Sequence, residues 1–383
     1  MSRSDSERRA AAPEVILSLS NAARCALVAT LVPALLAAAP KEVGRRDGAH
    51  AQSPQFSGDG AKLTWEANDH EKKVVELYVG DWRTGGFQRV APIARSASSM
   101  TSGFSATTKG GQVVHELSWA PPAINRFVYV ATNDLQDYDL YLGGGGALAP
   151  GMGADGGPAW SPDGRYIAFT SARTGQGDVY LLDTQAIDAP PKRLTTDPDA
   201  SELMLTWKPG GKSLVFVGHS DRGDNLWWLA DIAAPVSVKL VDWAHSQVRP
   251  TFSPLGDKVA FYANKDDPER WDLYVVEPKV GGVPVKLAND VVLDVHGPSF
   301  TPDGKHLVVV LDDDKRYDPI VAIPLANPAA PKVLELGTVG HGDLDVAKTP
   351  DGKVWLAYAA QGTTAGAVRT FDKLYVVEMP PLP

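Results

Sequence analysis

From residue 52 onward the apolar positions come in short runs and never fall into a helical rhythm. Runs such as Leu307-Val308-Val309-Val310 and Tyr166-Ile167-Ala168-Phe169 are apolar at nearly every position, the pattern of strands packed on both faces. Polar loops and a recurring turn separate them. One unit repeats: an aromatic residue, Ser-Pro-Asp-Gly or a relative, an apolar strand, a polar loop, and an aromatic-rich strand. Its clearest copy is Trp160-Ser161-Pro162-Asp163-Gly164, followed by Tyr166 to Thr170 and Asp178 to Asp183. Further copies begin at Phe56, Trp119, Trp207, Phe252 and Phe300, and a seventh at Lys348, which takes the aromatic place. The starts lie 63, 41, 47, 45, 48 and 48 residues apart, close to the roughly 40–50 residues of a four-stranded propeller blade.

The turn has a physical basis. Pro presets φ, Asp bonds back to the backbone, and Gly takes the left-handed position that closes the hairpin. One such unit cannot cover both of its faces, so the units must stack around an axis and close. A β-sandwich would not repeat the same turn seven times in register. The expected fold is all-β, a seven-bladed β-propeller of four-stranded antiparallel blades over residues 52–383. The last unit has strands near Asp343 to Thr349, Val354 to Tyr358 and Lys373 to Glu378, and lacks a fourth. An open edge is a liability in a closed ring, so a segment within Lys41 to Gln52 is expected to supply it. A three-stranded final blade is the alternative.

Residues 1–51 read differently. Arg3, Arg8, Arg9 and Arg24 precede an apolar run from Cys25 to Pro40, interrupted by Pro33. That run is shorter than the ~20 residues of a bilayer span. A basic start, a short apolar core and small residues beyond it make up a secretory signal peptide. Ala37-Ala38-Ala39 and Ala49-His50-Ala51 are the candidate cleavage sites, and ring closure by Lys41 to Gln52 favours the first. An uncleaved anchor is the alternative. The expectation is a periplasmic or secreted protein with no stable membrane span after processing. Cys25 is the only cysteine, so there is no intrachain disulfide and no paired-cysteine zinc site. The formal net charge of −9 argues against a nucleic-acid partner.

The segment Trp160 to Asp183, WSPDGRYIAFTSARTGQGDVYLLD, followed by Lys192-Arg193-Leu194-Thr195, resembles the repeat of the TolB-like (WD40-like, SPDG-repeat) β-propellers. The likeness extends over essentially all of residues 52–383. It implies a propeller that mediates interactions, since the same repeat is found in periplasmic TolB, in propellers attached to peptidase domains, and in some polysaccharide lyases.

Local motifs for chemistry are few. There is no H-E-x-x-H, no phosphate-binding glycine loop and no EF-hand spacing. In Gly218-His219-Ser220-Asp221-Arg222-Gly223 an arginine stands where a nucleophile elbow requires glycine, and the segment aligns with a blade loop. Trp227 and Trp228 alternate on a strand, so at most one faces outward, and core packing is the expectation. Histidine placement is more regular. His115 and His296 lie four residues before their aromatic position, and His245 and His341 lie seven before theirs. Glu116, Asp242, Asp294, Asp343 and Asp345 accompany them. Connections from the fourth strand to the next first strand reach one face of a propeller, around its channel. His115, His245, His296, His341, Asp294 and Asp343 therefore mark the expected ligand-binding face. The polar segments Asn68 to Glu71, Asn133-Asp134, Lys265 to Asp267 and Arg95 to Gly111 are expected there too. Converging imidazoles could hold a divalent metal or serve as acid and base, whereas a wet channel also tolerates polar residues. The expectation is no metal, no cofactor and no assigned catalytic residue. The function expected is a TolB-like binding or scaffold module that takes a protein, small-molecule or oligosaccharide ligand at the channel mouth. The alternative is a metal-dependent polyuronide lyase or hydrolase using the histidine face, and a third reading is a sensor domain whose partner enzyme is a separate chain.

Overall fold

The copies of the turn that carry Ser or Thr with Asp two residues on, at Ser57, Ser161, Thr301 and Thr349, share one hydroxyl-to-carboxylate bond. Ser161 Oγ donates to Asp163 Oδ1 at 2.6 Å and accepts the Tyr166 N–H at 2.9 Å, while Gly164 sits at φ 77°. Thr301, Asp303 and His306 repeat those two bonds at 2.7 and 3.1 Å, with Gly304 at φ 69°. Each turn hands the chain from an inner strand to the next strand of the same blade.

The computed structural model describes residues 39–90, 114–132, 137–313, 317–362 and 372–383. Its described elements are strands, arranged as seven sheets of four, with neighbours antiparallel throughout. The innermost strands of blades 1 to 7 are His50–Phe56, Val114–Trp119, Asp155–Trp160, Ser201–Trp207, Gln247–Phe252, Ser299–Phe300 and Val339–Lys348. The architecture is the expected seven-bladed β-propeller.

Seven hydrophobic clusters hold it together, each between two consecutive blades. Alternation along a strand sends successive side chains to opposite interfaces. Leu307 and Val309 pack toward blade 5, whereas Val308 and Val310 pack toward blade 7. That division is why the run has no polar position.

Blade 7 closes the ring by strand exchange. Lys41–Gly44 pairs antiparallel with Lys373–Glu378, placing Lys41 opposite Val376 and Glu42 opposite Tyr375. Val43 packs into the interface between blades 7 and 1 beside Leu374 and Val376. The described strands of the ring therefore start at Lys41, ahead of the repeat boundary at residue 52. The arginine-rich start and most of the apolar run lie outside the described residues. No helix among the described residues is long and apolar enough to cross a membrane.

Candidate functional site

Six inner strands break their ladder near one level. The pairing slips between Gln52 and Gln55, His115 and Leu117, Gly156 and Ala159, Leu203 and Thr206, Val248 and Thr251, and His341 and Leu344. In blades 1 to 6 the residue three before the aromatic position has a positive φ: Ser53 at 52°, Glu116 at 47°, Gly157, Met204 and Arg249 at 55°, and Gly297 at 91°. Bulges of this kind bend a strand and re-aim its side chains. Left-handed backbone costs a non-glycine residue about 1–2 kcal/mol, which the packed blades on either side sustain. Glu116, Met204 and Arg249 line a central cavity of about 930 Å³ together with Glu66 and His296. Arg249 has no ion-pair partner among the described residues.

The carboxylates around this channel are engaged with backbone. A bulge removes N–H groups from the ladder, and a buried N–H needs an acceptor. Asp343 accepts from Ser53 N at 2.9 Å and Val295 N at 3.1 Å. Asp294 accepts from Leu344 N at 2.7 Å and His296 N at 2.8 Å. Asp345 takes Phe56 N, Glu66 takes Glu116 N, and Glu116 takes Gly157 N, at 2.7, 3.2 and 2.6 Å. All but the Asp294–His296 bond join two blades. Burial pushes the carboxyls of Glu66 and Asp345 each up to about 7. Burial, with Asp343 beside it, holds Asp294 well above the ordinary carboxyl range.

The four histidines do not share one environment. His296 lines the central cavity, its Nε2 lying 3.4 Å from the Ser53 carbonyl across the ring. His341 is 7% exposed and turned into blade 7. Its ring nitrogens meet Thr338 Oγ1 at 2.8 Å and the Asp318 carbonyl at 2.7 Å, and its ring sits edge-on to Tyr358. His245 is exposed in the connection from blade 4 to blade 5, its carbonyl taking the Gln247 side-chain amide. His115 lies in the inner strand of blade 2 opposite Val130, and its side chain lies outside the described set. Burial lowers His296 and His341 below the ordinary imidazole value, so both are predominantly neutral at pH 7. Among the described residues no three His, Cys, Asp or Glu side chains are arranged to hold one metal ion. Asn133-Asp134 and Arg95 to Gly111 lie outside the described residues.

Motif-based reading passed over Glu66, Met204 and Arg249. Met204 and Arg249 share the position three before the aromatic residue, which varies in chemistry from blade to blade.

No family model matches the chain. It is 29% identical over 162 residues to the uncharacterized protein Atu1656 of Agrobacterium fabrum, covering 37% of this chain and 52% of that one. It is 26% identical over 236 residues to the uncharacterized peptidase YuxL of Bacillus subtilis, covering 57% and 31%. The chain thus spans about half of the first relative and a third of the second. Among solved structures it is similar to an oligogalacturonate lyase in complex with manganese, with 12% identity, a TM-score of 0.55 and coverage of 90% and 94%. TolB from Acinetobacter baumannii matches with 13% identity, a TM-score of 0.42 and coverage of 86% and 78%. At these identities the likeness is one of fold, and the chain resembles the TolB-like propellers in its repeat and in its seven-bladed ring.

Proposed function

We propose that this chain is an exported binding module, periplasmic or secreted, that takes a protein or small-molecule partner at the channel mouth and carries out no reaction of its own. One observation carries the reading. A single ring position, on one strained backbone, bears five residue types in six blades: Ser53, Glu116, Gly157, Met204, Arg249 and Gly297. A rigid frame that varies its side chains at one level suits recognition, which needs both precision and variety. The general use of TolB-like propellers as interaction modules supports the same reading. The basic and apolar start of the chain supports export.

The lyase reading asks the histidine face to bind a divalent metal. The described donors do not fit that role. Among the described residues no three His, Cys, Asp or Glu are arranged around one ion, His341 has each ring nitrogen occupied, and His245 stands apart in an exposed connection.

The test places a photo-crosslinking residue at Met204 in the channel, or at Lys305 in an opposite-face hairpin, in cells making the full chain. Discrete adducts from Met204 and none from Lys305 are expected. Adducts from Lys305 alone would refute the channel as the binding face. β-Elimination of oligogalacturonate by the purified protein would refute the non-catalytic reading.

A further inference from the structure

A second cleft adjoins the channel, sharing Gln176 with it, around the hairpin of blade 4. Leu214–Ser220 and Gly223–Leu229 pair there, joined by Asp221-Arg222. The segment that invites a hydrolase reading is thus a tight turn. Between this hairpin and the connections entering and leaving the blade is a cleft of about 920 Å³. Its wall carries Asn225 and Trp227, two residues apart on one strand and so on one face. Gly218 stands opposite Asn225. A Cβ on Gly218 would come within 2.5 Å of Trp227 Nε1, so a bare backbone is what lets the indole lie across the strand. Trp228, on the other face, packs toward blade 5 and donates to Ser213 Oγ.

The cleft is set up to receive a cation. Lys239 Nζ already sits 5.6 Å from the Trp227 ring centre, held there by Asp242 at 2.8 Å. Asp224 is paired with His219 at 2.5 Å. Asp197, Asp199 and Asp221 also line the cleft, and none of the three has an ion-pair partner among the described residues. Arg222 on the rim is the one opposing charge without a pair. Deeper in, Asn225 is 7% exposed and its side-chain oxygen has no hydrogen-bond partner. A buried acceptor left open asks for a donor, and the three carboxylates ask for positive charge.

We propose that this cleft binds an alkylammonium group, carried by a lysine-bearing peptide segment or a free polyamine, with Asn225, Asp199 and Asp221 accepting its hydrogen bonds beside the Trp227 indole. The assignment rests on residues that do not line the central cavity, Asp199, Asp221, Asn225 and Trp227. An anionic polymer such as a polyuronide is excluded by the same charges.

The test is calorimetric titration of the full chain with acetylated, amidated tetralysine, with spermidine and with tetraglutamate. Saturable one-site binding of tetralysine, spermidine or both is expected, and which of them binds identifies the source of the ammonium. Asp199→Asn with Asp221→Asn should weaken it at least tenfold. Asn225→Ala, which changes no charge, should weaken it severalfold. Asp188→Asn with Glu335→Gln, which removes as much charge from exposed sites elsewhere, should leave it unchanged. Melting curves confirm that each variant is folded, and an Asn225→Ser variant replaces Asn225→Ala if the latter unfolds. Binding of tetraglutamate alone, no binding of either cation, or equal loss in both double variants would overturn the proposal.

Discussion

Glu202 pays most visibly for its position in an inner strand. It is 2% exposed, one of its oxygens lacks a partner, and burial, with Asp178 and Asp197 nearby, pushes its carboxyl up to about 8. A carboxyl that binds its proton more tightly when folded stabilises most below its unfolded value near 4.5. That contribution is lost as pH rises through about 8. Glu202→Gln should therefore raise the melting temperature at pH 8 by about 2 °C or more, and should flatten its fall between pH 5 and 8. Melting curves across that range check it, and a profile parallel to the parent's would remove Glu202 as the cause. The histidines show what residue-level reading reaches. Spacing located all four near blade entrances, yet neighbours decide where each ring points. Thr338, Asp318 and Tyr358 claim His341, while His245 is left in solvent. The column of Ser53, Glu116, Met204 and Arg249 shares only a backbone angle, and a search by residue type passes over it.

At the scale of elements the sequence was most legible, because each turn is decided by its own few residues. Gly304 illustrates the point. At φ 69° it has room for a Cβ, the nearest atom being 3.7 Å away, so Gly304→Ala meets no clash and suffers only the strain of a side chain in left-handed backbone. The expected loss is about 1–2 kcal/mol, or a fall of about 2 °C on calorimetry. The missing fourth strand of blade 7 was also readable, by counting strands and asking what covers the open edge. Deleting Lys41–Gly44 uncovers Lys373–Glu378 and withdraws Val43 from its interface. We expect the melting temperature to drop by about 10 °C, or the protein to aggregate through the bared edge. Under the export reading, N-terminal sequencing of mature protein should give a start at or before Lys41. A start at Gln52 with unchanged stability would contradict both.

For the whole molecule, the fold is written seven times over, once per blade, so errors in reading one copy are corrected by the others. A site is written once. The cavity walls come from single positions scattered over many blades, and the blade 4 cleft depends on a glycine whose value shows only when Trp227 is seen lying over it. Seven interfaces of similar construction give a ring in which each blade is supported on both sides. The strand exchange has a consequence for how such a ring is made. Lys41 pairs with Val376, so the first of the described strands stays unpaired until the last of them has emerged. Closure is a contact of very high sequence separation, the slow kind to form. Because these two strands lie side by side, joining them by a short linker and opening the chain at any connection between blades would keep every strand pair. A circular permutant opened between blades would build its final blade from neighbouring chain and free assembly from that long wait.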